Sequence, residues 1–289
     1  MKRASRLRKK IKKILFQDCF PIRRFLDIIE FSRNKHPETQ SIISKGWSFI
    51  IITSGKEGEI LKKCINSILN DFRERDNYEI IVIGQNEDYP LHNSRIHYVR
   101  YKSLSILPAN ISNKKNIGAK LANFDTLVIM HDYISLNKGW VSSIELLSEE
   151  YDICLNKVYL QDGRRSRDWV VFSDDYGMGM LPYGALPRKD QYVNGAFFIV
   201  KNLFFNNNPL NKFLRWGESE DIEWSRRVFE MNAKIVFCHN ASISYLKPKP
   251  YDDPPYCDYG FTNTKKIFES YGLEITAYNY VNELLDYSI

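Results

Sequence analysis

The stretch VIMHDYISL, from Val128 to Leu136, decides the fold. It is apolar through Met130 and turns polar at once, at His131-Asp132-Tyr133. An apolar run that stops in a polar triplet is how a buried parallel strand carries side chains to the end of a sheet. In open α/β sheets ligands sit at that end of the strands. A carboxylate there, Asp132, suits a metal-bound phosphate or a sugar. A strand with a polar turn would read the same way, so the flanking sequence must choose.

Upstream the pattern repeats. WSFIIIT opens the core at Trp47 and runs into Ser54-Gly55-Lys56-Glu57-Gly58. Ile60, Leu61, Cys64, Ile65, Ile68 and Leu69 then recur at helical spacing. YEIIVIG is a second strand ending at Gln85-Asn86, and RIHYV a third. Ser112 suits the cap of a helix carrying Ile117, Leu121 and Ala122, and Gly139-Trp140 turns into another. Strands alternating with helices predict an α/β fold, a mostly parallel central sheet flanked by helices. Thr53, Ser54, Gln85, Asn86, His131 and Asp132 would gather at one edge of it. Neither GxGxxG nor GxxxxGK[ST] occurs, which disfavours Rossmann dinucleotide and P-loop enzymes.

Beyond Tyr151 the alternation stops. DICLNKVYL, DWVVFS and VNGAFFIV read as strands, the last opening on Asn194-Gly195, with a loop-rich stretch holding Arg164, Arg165 and Arg167 among them. WGESEDIEWSRRVFEMN reads as a helix with acidic residues at Glu218, Glu220, Asp221 and Glu223 beside Trp216. The helix dipole favours acids in a first turn, which accounts for one or two of them more readily than four. AKIVFCHNASISYLKP is a last strand region with His239 in its turn.

With 44% hydrophobic residues, 289 residues suffice for a sizeable core, so the chain is not a disordered one. Its five cysteines are scattered without a CxxC pair, against zinc and disulfide frameworks and for a reducing compartment. The net charge of +6 is local: residues 1–35 hold 12 Lys/Arg against 3 Asp/Glu, a net +9, leaving −3 for the rest. That speaks against a nucleic-acid-binding face on the body. The domain reading is a basic amphipathic helical extension and linker over 1–46, a catalytic-type domain over 47–250, and a helical or loop appendage over 251–289. The basic helix within residues 1–20 suits an anionic membrane surface or packing on the body. With no apolar run of spanning length and no signal-peptide segment, a cytoplasmic protein is expected, with the inner face of the cell membrane as its resting place.

These pieces, in this order, resemble the GT-A glycosyltransferases, and among them the large inverting family 2. FIIITSGKEGEILKKCINSIL is similar to that family's opening strand and helix, NKKNIGAKLA to its basic-Asn-x-Gly segment, VIMHDYISL to its DxD motif, and WGESEDIEW to the motif holding its catalytic base. The likeness covers roughly residues 47–247. It implies an inverting transfer of a sugar from a nucleotide-diphosphate donor to a glycan acceptor, lipid-linked in one version, in surface polysaccharide or glycoconjugate synthesis. It implies Asp221 as base with Glu220 as the near alternative, and donor contacts from Thr53, Ser54, Glu57, Gln85, Lys115, Asn116, His131 and Asp132. Acceptor or sugar contacts fall to Asn194, Gly195 and Trp216.

Tyr133 stands where the family carries its last acidic residue, so two ways of neutralising the leaving diphosphate stay open. One is a divalent cation, Mn²⁺ or Mg²⁺, held by Asp132 with help from His239. The other is a lysine, Lys114 or Lys115. Thr53 and Ser54 also read as helix caps and Trp216 as core. A second functional reading is a non-catalytic GT-A domain that binds a nucleotide or glycan as a scaffold.

Overall fold

The computed structural model describes residues 44–84, 91–101, 111–148, 150–173, 177–188, 191–212, 220–248 and 261–262. The chain runs β1 (Ser44–Ile52), α1 (Gly58–Asp71), β2 (Tyr78–Gly84), β3 (Ile96–Arg100), α2 (Ile111–Leu121), β4 (Phe124–His131), β5 (Ile134–Leu136) and α3 (Trp140–Glu145). There follow β6 (Ile153–Tyr159), β7 (Val170–Ser173), β8 (Gly177–Met180), β9 (Gln191–Tyr192), β10 (Phe197–Lys201), α4 (Asn202–Asn207), α5 (Glu220–Glu230), β11 (Ile235–Tyr245) and β12 (Phe261–Thr262). The main sheet has the order β3-β2-β1-β4-β10-β6-β11-β5, and β12-β8-β7-β9 form a small second sheet.

The first half of the main sheet is parallel, as the alternation predicts. The second half is mixed: β10 runs antiparallel to both β4 and β6, β11 is parallel to β6, and β5 antiparallel to β11. Order and chain length together dictate its shape. β4 and β5 stand four strand spacings apart in the order, ~19 Å if the sheet were flat. Only Asp132 and Tyr133 separate His131 from Ile134, a reach of ~11 Å. The sheet therefore curls, bringing the end of β11 round to the end of β4.

Both faces of β1, β2, β4 and β10 are covered, which is why these strands are apolar without alternation. Phe49 and Ile51 face α1 and α3, packing with Leu61, Ile65, Ile68 and Trp140. Ile50 faces the other way, with Ile117 of α2, Ile83, Ile129 and Trp224 of α5. Asp71, at the end of α1, accepts the backbone N–H groups of Gly139 and Val141 at 2.7 Å each. It satisfies donors that the start of α3 cannot pair internally. Among the described residues no helix is long and apolar enough to cross a membrane.

Some details differ from the sequence expectations. β1 begins at Ser44, three residues before Trp47. Asn194-Gly195 precede β10 as a loop instead of opening the strand. His239 lies within the continuous strand β11, beside an irregularity between Cys238 and Ser242, and not in a turn. Gly177–Met180, expected as loop, is β8, because pairing with β7 overrides a composition poor in β-formers. The surrounding segment is organised by buried Asp168, which accepts from Arg165 Nε (2.8 Å), Arg165 Nη2 (2.7 Å) and Tyr183 Oη (2.7 Å). Gln85, Trp216, the 1–43 part of the extension and, apart from β12, the 251–289 appendage lie outside the described residues.

α2 lies close on β1 because residue 118 is glycine. A Cβ there would stand 2.3 Å from Ile50 Cγ2 and 3.0 Å from Ile83 Cδ1. Alanine improves helix propensity by about 1 kcal/mol, but the overlap falls on two buried strand side chains and forces α2 outward, at about 1–3 kcal/mol or more. Gly118→Ala is expected to lower stability despite its helix-favouring residue, read as a fall in urea midpoint with unchanged slope.

Candidate active site

Two clusters form at the carboxyl end of β4. The first centres on Asp132. Its Oδ2 accepts the Thr53 hydroxyl at 2.6 Å, and Thr53 Oγ1 in turn accepts the Gly55 N–H at 3.0 Å. Lys114, from α2, donates to the Thr53 carbonyl at 2.8 Å. Burial pushes the Asp132 carboxyl above its ordinary value; the Thr53 hydroxyl and the charges of Lys247 and Lys114 pull it back, and Glu57 pushes it up. Lys247, two residues beyond β11, bonds both Glu57 oxygens at 2.8 Å and lies 5.2 Å from the centre of the Tyr133 ring. Tyr133 meets Tyr245 edge to face at 5.6 Å. Ser54 is exposed beside them.

The second cluster centres on the start of α5. Gly195 N–H donates to Asp221 Oδ2 at 3.0 Å. Asp221 Oδ1 accepts the N–H of Ile222 at 3.0 Å, which is a use for acid at a helix start. Ser225 Oγ donates to the Asp221 carbonyl at 2.6 Å and accepts from Val193 N–H at 2.8 Å, fixing α5 against the segment before β10. Lys115, with a side chain 0% exposed, donates to the Gly195 carbonyl at 2.8 Å and to Glu220 Oε1 at 3.2 Å. Glu223 is paired with Arg227 at 2.9 Å. The acidic run thus divides: Glu220 turns inward to an ammonium, Glu223 to a guanidinium, and Asp221 remains half-buried beside glycine. A Cβ on residue 195 would come within 3.0 Å of the Asp221 carboxylate.

The clusters are neighbours. β4 and β10 pair with Met130 opposite Phe197, and the His131 N–H donates to the Ala196 carbonyl at 3.0 Å. Asp132 follows His131 and Gly195 precedes Ala196, so the two aspartates flank one end of one strand pair. Lys114 and Lys115, consecutive on α2, each serve one cluster. Tyr245 bridges them as well, receiving the Asn194 side-chain N–H at 3.2 Å and packing on Tyr133.

The structure brings together Thr53, Asp132 and Glu57 in one group and Lys115, Gly195, Glu220 and Asp221 in the other. Asn194 holds the loop, donating to the Arg167 carbonyl at 2.7 Å and accepting the Ala196 N–H at 3.0 Å. Asn116 is spent on the Leu210 backbone, donating to its carbonyl at 2.7 Å and accepting its N–H at 3.0 Å. The His131 ring sits 5.2 Å from Tyr133. His239 is exposed and packs against Phe237, tilted, and Tyr183, edge-on, apart from the partners of Asp132. Sequence reasoning missed Lys247, Tyr192 and Tyr245, and set Arg167 aside. Buried Tyr192 lies close enough to Arg167, Asp221 and Tyr245 for each to bias its hydroxyl, which burial raises. Lys247 carried a local sign, a basic residue at the end of a strand followed at once by proline.

The donor set fits a resident Mn²⁺ or Mg²⁺ poorly. Among the described residues no three His, Cys, Asp or Glu side chains stand together as a metal group. Asp132 offers one oxygen free of Thr53, the Glu57 oxygens face an ammonium, and a tyrosine follows Asp132 where a hard anionic oxygen would serve such an ion.

No protein-family model matches the sequence, and no curated protein matches it. Solved structures do. GalNAc-T7, solved with UDP, GalNAc and Mn²⁺, is similar over 73% of this chain and 45% of its own, with a TM-score of 0.56 at 13% identity. TarS from S. aureus is similar over 70% of this chain and 37% of its own, with a TM-score of 0.51 at 13% identity. The chain thus spans less than half the length of either. Both are GT-A glycosyltransferases. At such identity the likeness shows the fold: this chain has the GT-A fold, a mixed α/β architecture with a large curled central sheet flanked by helices.

Lys115 yields a prediction with a definite sign. Glu220 is buried, which raises its carboxyl above the ordinary value, while Lys115 lowers it and Asp221 raises it. A carboxyl raised by folding binds more protons folded than unfolded, so stability falls as pH rises from the unfolded value to the folded one and is level above. Removing Lys115 raises Glu220 further and widens that window upward. Lys115→Met should cost about 3–5 kcal/mol near neutrality, and distinctly less at about pH 3, where Glu220 is protonated in both states. Adding Glu220→Gln should recover most of the loss. Urea unfolding of the three proteins across that pH range reads it.

Proposed function

We propose that the chain is an inverting glycosyltransferase that moves a sugar from a nucleoside-diphosphate donor onto the hydroxyl of a glycan acceptor. The observation that carries this reading is the convergence of Asp132 and Asp221 at one end of the β4–β10 pair. The GT-A fold agrees with it.

In this mechanism Asp221 is the base. Its Oδ1 and Oδ2 each accept one backbone N–H, which aims the carboxylate and leaves a lone pair on each oxygen. It takes the proton of the acceptor hydroxyl as that oxygen attacks the anomeric carbon. The bond from that carbon to the diphosphate breaks on the opposite face, and its electron pair leaves with the diphosphate. Burial and the Lys115 ammonium favour Asp221 over Glu220, whose carboxylate is turned away from solvent. On the donor side Thr53, Ser54 and Glu57 lie beside Asp132, where the nucleotide diphosphate is expected to bind. Stabilising its developing charge falls to cationic side chains at this edge. A lipid-linked acceptor in surface polysaccharide or glycoconjugate synthesis fits the basic segment at residues 1–20, which would rest on the inner face of the cell membrane.

Asp221→Asn keeps the shape and can still accept the Gly195 N–H, but cannot take a proton. With a panel of UDP- and GDP-sugars and water as the acceptor, release of nucleoside diphosphate should fall about 10²–10⁴-fold, with donor affinity by calorimetry within about threefold. Undiminished turnover would refute the assignment of the base.

A further inference from the structure

The geometry points to Lys247 as the cation that receives the donor's diphosphate, in the place where a metal would otherwise stand. This rests on the transferase reading and adds how its leaving group is neutralised.

Three observations place it. First, the sheet's curl delivers the end of β11 to Asp132: Tyr245 pairs with Ile134, and the Leu246 N–H donates to the Tyr133 carbonyl at 2.8 Å. Lys247 is the next residue. Second, its ammonium is held over the Tyr133 ring and between the two carboxylates of this edge, bonded to Glu57 and close enough to Asp132 to bias its proton. A cation there lies at the same edge as the Thr53–Asp132 bond. Third, the Lys247–Glu57 pair is accessible, with side chains 33% and 40% exposed. Exposed ion pairs are weak, and phosphate oxygens make stronger charge-assisted bonds with an ammonium. An arriving diphosphate can take Lys247 from Glu57 without unfolding anything.

The charge count favours the same conclusion. Asp132 and Glu57 alone would repel a diphosphate; Lys247 and Lys114 cancel that charge, and of the two ammonium groups Lys247 is the more exposed, the one a diphosphate can reach. A metal bound by Asp132 and Glu57 would have to displace Lys247 and would find a tyrosine next to Asp132. Lysine is a compact point charge on a flexible stem, suited to follow the diphosphate as it leaves.

The test uses the full chain and calorimetry with UDP, GDP, CDP and dTDP, each in EDTA and in MnCl₂. At least one should bind, with a Kd changing less than about threefold between the two conditions. Lys247→Met should weaken that binding about 10- to 100-fold in EDTA. Lys247→Arg should retain most of it. The inference is overturned if Mn²⁺ tightens wild-type binding by more than threefold, or if Lys247→Met with an unchanged melting temperature binds like wild type. If no nucleoside diphosphate binds in either condition, the donor-site reading itself fails and this role with it.

Discussion

Two residues, Asp132 and Tyr133, join β4 to β5, and that short link governs the shape of the molecule. The strands it joins sit four places apart in the sheet, so the sheet must bend until its far edge closes on its middle. Bending brings Tyr245, Leu246 and Lys247 to the link itself. A longer connection would let the sheet open and leave Asp132 at a plain strand end, with its charge facing water. The residues that would meet a donor are thus also the ones under topological constraint.

The second condition is a pair of consecutive lysines on α2. Successive residues on a helix diverge by about 100°, which lets Lys114 reach the Thr53 carbonyl and Lys115 the Gly195 carbonyl. A buried ammonium is tolerated only when bonded and balanced, and Lys115 has a carbonyl and the Glu220 carboxylate. Its demands fix the distance between α2, the loop before β10 and the first turn of α5. Gly118 sets how close α2 lies to β1, so packing beneath the helix and polar contacts at its start determine one geometry.

Much of this was legible in the sequence. The apolar runs ending in polar residues located β1, β2 and β4 and the edge they share, because a strand buried on both faces has few ways to be written. The acidic cluster after Trp216 stood out in the sequence, since helix-dipole preference does not call for four acids, and three of them, Glu220, Asp221 and Glu223, open α5. The contacts of the second half were not. The reversal of β10, the strand GMGM and the return of β11 depend on pairings between residues far apart in the chain, and local composition is silent about them. Asn116 and His239 illustrate the same limit: each is a residue type that suits a ligand, yet one is consumed by the Leu210 backbone and the other packs against Phe237 and Tyr183. Lys247 passed as the tail of a strand because only the curl of the sheet gives it a neighbour in Glu57, 190 residues away in sequence.

The central claim is that a single cleft at the end of the β4–β10 pair takes the donor between Asp132 and Asp221. A crystal structure of the full chain soaked with UDP or GDP, whichever binds in solution, tests it most directly. The account predicts diphosphate density over the Thr53–Asp132 bond, on the Lys247 side, with the Asp221 carboxylate facing the open end beyond the β-phosphate. Density for the nucleotide elsewhere on the molecule, or a diphosphate whose open end faces away from Asp221, would contradict it.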